Sequence, residues 1–153
     1  MTSETKKMWA YSAVFAIAAA VSSYVIASQN LAANTYGIIS AVLITTIVAL
    51  FWSRFLVPTL FTRNKLSVFN QVLFGIVVAT FTIFISAGIF GLTQLDGMEA
   101  ITELGFFGLL VNVLGSGVMV MVFSYLMYWW LILPLFVGSA MALRWFTLNA
   151  YIE

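Results

Sequence analysis

Neither cysteine nor histidine occurs anywhere in this sequence. Their absence excludes disulfides, thiol redox chemistry, a histidine-ligated haem or copper, and a cysteine-held iron–sulfur centre. It also removes the side chain that most often moves protons near neutral pH. Charge is almost as scarce, at 7% of 153 residues, where soluble domains carry about a quarter. Six Lys and Arg face five Asp and Glu, and a formal charge of +1 is too small to suggest a nucleic-acid or polyanion partner. None of the five acids lies within an apolar stretch. Proton or cation coupling across a membrane normally uses such a carboxylate, so a coupled transporter is disfavoured. No glycine-rich phosphate loop, Ser–His–Asp set or zinc-protease motif is present. We expect no catalytic residue, no cofactor, no metal and no enzymatic activity.

What is present is apolar surface. Hydrophobic residues make up 63% of the chain and aromatic residues 16%. Lipid accommodates such a surface and water does not. The expected fold is an all-α integral membrane protein in a single transmembrane helical domain over residues 1–153. Four transmembrane helices are expected at about 8–28, 35–61, 67–92 and 118–143, with a short amphipathic interfacial helix at about 97–114 before the last span. Each span is long enough to cross about 30 Å of hydrocarbon.

Lys6-Lys7 followed by an apolar stretch and Val25-Ile26-Ala27 has the outline of a signal peptide. The apolar part is longer than a signal core, so a retained first span is expected. Its Ala13, Ala16, Ala20, Ser23 and Ala27 form a small-residue stripe on which another helix can pack closely. Pro58 predicts a kink or an early end near the close of the second span. In the third, Gly75, Ala79, Thr82 and Ser86 form a second small-residue face.

Residues 104–143 contain no charge and are bracketed by Glu103 and Arg144. As one straight helix they would extend about 60 Å, twice the hydrocarbon thickness, so the run has to break, bend or lie along the surface. Asp96-Gly97-Met98-Glu99 has the spacing of a capping box, and Gly115-Ser116-Gly117 reads as a helix stop. Together they predict the surface helix and then the final span, with Arg144 and Trp145 as interface anchors. A second reading puts the span at 105–128 and starts a surface helix at Pro134.

Four spans place Lys6, Lys7, Arg63, Lys65 and Arg144 on one side, and Asp96, Glu99 and Glu103 on the other. The positive-inside rule then orients both termini to the cytoplasm of the plasma (inner) membrane. Candidate contacts with lipid or partner follow from the polar and aromatic residues of the spans. Arg54, inside the second span, either snorkels to the headgroups or meets a phosphate. Asn70, Gln71 and Asn112 suit interhelical hydrogen bonding better than a ligand site. Tyr125, Tyr128, Trp129 and Trp130 form an aromatic patch that packs on lipid or protein, or lines a groove for a pigment, quinone or lipid tail. Met119, Met121 and Met127 are better explained as adaptable packing than as a copper site. The expected partners are the lipid bilayer and other membrane subunits or copies of this chain. The expected role is a non-catalytic structural or accessory subunit of a membrane complex, with a small homo-oligomeric channel, transporter or membrane-permeabilising protein as the alternative.

Overall fold

The computed structural model describes residues 3–30, 34–61, 68–93 and 97–149, with side chains over 8–30, 34–58, 68–93 and 105–145. The chain is all-helical there. Its elements are α1 (Ser3–Asn30), α2 (Thr35–Phe61), α3 (Val68–Thr93) and α4 (Gly97–Asn149). Each is long and apolar enough to cross a membrane. The loop Thr62-Arg63-Asn64-Lys65, Asp96, and the side chains of Lys6, Lys7, Glu99 and Glu103 lie outside the described residues, and with them the side-chain contacts of the capping box.

The helices alternate in direction and close into a ring, α1 on α2, α2 on α3, α3 on α4 and α4 back on α1. Named contacts set the directions. Trp9 at the start of α1 meets Phe51 near the end of α2, with ring centroids 5.8 Å apart. Trp52 of α2 lies 5.1 Å from Phe81 of α3. A Cβ on Gly88 would meet Val113, and one on Gly75 would meet Val137, so α4 runs antiparallel to α3. The result is an up-down-up-down bundle.

Bulky side chains fill one half of its interior. Phe15, Val57, Val78, Ile132 and Phe136 are fully buried, and Phe15 stacks on Phe136 at 6.5 Å and meets Phe74 at 5.9 Å. In α3 the small-residue face is the packed one, with Gly75, Ala79, Thr82 and Ser86 all buried. In α1 the buried positions are Ser12, Phe15, Ala16, Ala18, Ala19, Ser22 and Ala27. Of the expected stripe only Ala16 and Ala27 are buried, while Ala13, Ala20 and Ser23 are half-buried. The α1 face is therefore centred slightly to one side of the alanine-rich line.

Pro58 does not end α2 and the expected stop in α4 is absent, while two other breaks are present. α2 continues through Pro58 to Phe61. α4 passes through Gly115-Ser116-Gly117 in helical conformation, and Ser116 Oγ donates to the carbonyls of Asn112 and Val113 at 2.8 and 3.2 Å. No separate interfacial helix ends at residue 114. Glycine breaks a helix mainly where water competes for the backbone, and apolar surroundings remove that competitor. The non-helical residues of α4 are Gly105 (φ 60°, ψ 176°) and Tyr128 (φ −126°, ψ 18°). Gly105 adopts the left-handed half of φ space that glycine alone enters without a Cβ penalty.

These two points are the ends of the second reading of the run, yet the helix after Tyr128 is not a surface helix. Its Ile132, Phe136, Ala140 and Leu143 are core residues. The long run is thus one bent helix, and the bend at Tyr128 turns its second half onto α1 and the start of α3.

Candidate functional site

Arg54 sits half-buried on α2 with its guanidinium carbon 4.8 Å above the ring centroid of Trp9 on α1. The flat cation faces the negative ring surface, an attraction of about 0.5–2 kcal/mol that strengthens as water is removed. Its Nη1 is buried without a hydrogen-bond partner among the described residues. A guanidinium placed over an indole with one nitrogen unsatisfied is suited to an anionic oxygen. Arg144, expected as an interface anchor, is instead buried at 7% exposure and is not without a partner. Both arginines lie toward the end of the bundle where α1 begins and α4 closes.

Asn70 and Gln71 occupy the first turn of α3, half-buried, and neither is free. They share an end of the bundle with Arg54. Asn112 is half-buried at the opposite end, where its Oδ1 lies 3.6 Å from the place a Cβ on Gly91 would take. It therefore belongs to the α3–α4 contact.

The aromatic patch divides. Tyr125 turns inward and its hydroxyl lies 2.8 Å from Thr80 Oγ1 and 3.4 Å from the Ile76 carbonyl. Tyr128 is buried, accepts a hydrogen bond from Asn30 Nδ2 at 3.0 Å, and meets Phe123 edge-on at 6.5 Å. Trp129 and Trp130 are 58% and 54% exposed. In a regular helix Trp129 would share the face of Tyr125; the non-helical Tyr128 between them separates the two. Trp130 donates its indole N–H to the Met127 carbonyl at 3.2 Å, supplying a donor beside the bend. Met119 and Met127 are exposed and Met121 is half-buried.

The feature that sequence reading passed over is the outer face of α4. Val111, Leu114, Gly115, Val118 and Met119 form a shallow apolar concavity. Gly115 floors it, and a Cβ there would meet nothing within 4 Å. The sequence signal was the glycine pair itself, whose two members have different duties. Gly117 packs inward against Phe84, with the Phe84 carbonyl 3.0 Å from its Cβ position, while Gly115 faces out.

Among the described residues the chain is a bundle of four helices, each long and apolar enough to span a membrane. Comparison with protein-family models, with curated proteins and with solved structures finds no match.

Proposed function

We propose that this chain is a non-catalytic subunit of a larger membrane complex, docked through the outer face of α4. The observation that carries this reading is the glycine-floored concavity at Val111, Leu114, Gly115, Val118 and Met119. In lipid, helices associate through close packing, and small residues that admit a neighbouring backbone mark the preferred surfaces. The exposed Trp129 and Trp130 on the same helix extend the face with large side chains able to anchor a contact. In this reading Lys6, Lys7, Arg63, Lys65 and Arg144 face the cytoplasm at the plasma membrane, with both termini on that side. Residues 97–104, ahead of the Gly105 break, run along the opposite surface as an interfacial segment of about two turns, shorter than the amphipathic helix suggested by sequence.

The test is mild detergent extraction followed by native mass measurement. A hetero-complex is expected, and Gly115→Leu releases this chain from it while leaving its own melting temperature unchanged. A lone monomer overturns the subunit reading. A pure homo-oligomer that passes ions in liposomes replaces it with the channel reading.

A further inference from the structure

A second feature lies inside the bundle and is independent of the docking face. Between all four helices, in the half away from Phe15 and Phe136, is a cavity of about 300 Å³. Its origin is a coincidence of small side chains at one level. Ser22 and Ala27 of α1, Thr45 of α2, Ser86 and Ala87 of α3, and Ser124 of α4 all line it. Ile26, Ile83, Phe90 and Phe123 line it as well without filling its centre, and close-packed neighbours collapse onto such a void only in part.

Ser86 separates this cavity from a packing defect. It is 5% exposed, and its Oγ is buried with no hydrogen-bond partner among the described residues. A helical serine ordinarily bonds to the carbonyl three or four residues back. In this bundle Ser22, Ser23, Ser28, Thr45, Thr80, Ser116 and Ser139 all do so. Ser86 and Thr82, one turn apart on α3, do not, and of these two only Ser86 lines the cavity; a buried hydroxyl left unpaired is costly in apolar surroundings.

We infer that the cavity is a binding site for a neutral, hydroxyl-bearing aliphatic molecule, with Ser86 as its polar anchor. No lining residue is charged, which excludes an ionised headgroup inside it. The donor protons of Ser22 and Thr45 are engaged with the carbonyls of Ala18 and Ala41 at 2.9 and 2.7 Å, which leaves their oxygens as acceptors. Ser86 offers both a donor and an acceptor. A ligand hydroxyl gives and receives and so meets both kinds of group, whereas a ketone or ester only receives. A volume of this size, at about 30 Å³ per water-sized group, holds roughly ten non-hydrogen atoms. That corresponds to a medium-chain alcohol or the equivalent part of a larger lipid alcohol.

The test is photolabelling of the full chain in phosphatidylcholine liposomes with the diazirine alcohol 3-azioctanol, mapped by mass spectrometry. Saturable adducts are expected within 22–30, 83–90 and 120–124, displaced by unlabelled decanol. Ala87→Phe, which fills the cavity, abolishes them. Ser86→Ala keeps the fold and weakens half-saturation by roughly 3- to 10-fold, the loss of one hydrogen bond. Adducts that do not saturate and fall on exposed positions such as Met119 and Trp129 overturn the site. Half-saturation in Ser86→Ala equal to that of the unmodified chain overturns the anchor.

Discussion

At Gly75 a single carbon decides whether α3 and α4 can meet. A Cβ there would lie 2.7 Å from Val137 Cα and 2.9 Å from the Phe136 carbonyl, both main-chain atoms that cannot swing aside. Gly75→Ala is expected to lower stability by about 1–3 kcal/mol, as overpacking does, read as a lower melting temperature in detergent. Gly115→Ala, made in open space, should leave that temperature unchanged. Composition does not distinguish these two glycines; only the neighbour opposite does. Arg54 presents a related case. Arg54→Lys keeps the charge and loses the guanidinium contact with Trp9, so a loss of about 0.5–1 kcal/mol is expected. In a Trp9→Leu background the same change should cost almost nothing, which a double-mutant cycle measures. The charge of Arg54 was legible in sequence. Its partner was not, because Trp9 lies on another helix.

At the scale of the element, the start of α2 is the case where local interactions suffice. Asn34 caps it, its Oδ1 accepting from the Gly37 amide at 2.9 Å while its carbonyl receives the Ile38 amide at 3.1 Å. Asn34→Ala should cost about 1 kcal/mol by denaturant titration followed by circular dichroism. α4 is the opposite case. Its glycines at 115 and 117 resemble a stop and are not one, while its bend sits at a tyrosine, a residue with no helix-breaking tendency of its own. Tyr128 is held across the bundle by the Asn30 hydrogen bond and along its own helix by the edge-on contact with Phe123. Tyr128→Phe should therefore cost about 0.5–1.5 kcal/mol, with the larger part of the bend surviving on packing. Spin-label distances between the two halves of α4 would report it: a bend lost with the hydroxyl alone would assign it to the hydrogen bond.

For the whole molecule, the ring of four antiparallel helices brings Arg54 and Arg144 toward one end, in keeping with the charge asymmetry of the loops. Tags at both termini should be shielded from impermeant reagents applied outside intact cells. Labelling of either one would refute the proposed orientation. The two faces of the bundle also make separable predictions. Gly115→Leu acts on association and leaves the interior alone, whereas Ala87→Phe acts on the cavity and leaves association alone.

Sequence by itself determined the class: an all-helical chain with four apolar segments, the first three of a length that the thickness of hydrocarbon and the rise of a helix account for. It also marked the α3 packing face, because small residues at helical spacing announce close approach whatever the partner is. Tertiary structure alone decided how the charge-free run of α4 is used. The bend at Tyr128, the division of its aromatic patch and the inward and outward glycines all depend on which side chain stands opposite. The cavity beside Ser86 depends on four helices each presenting a small residue at one level, a coincidence that exists only once they are packed together.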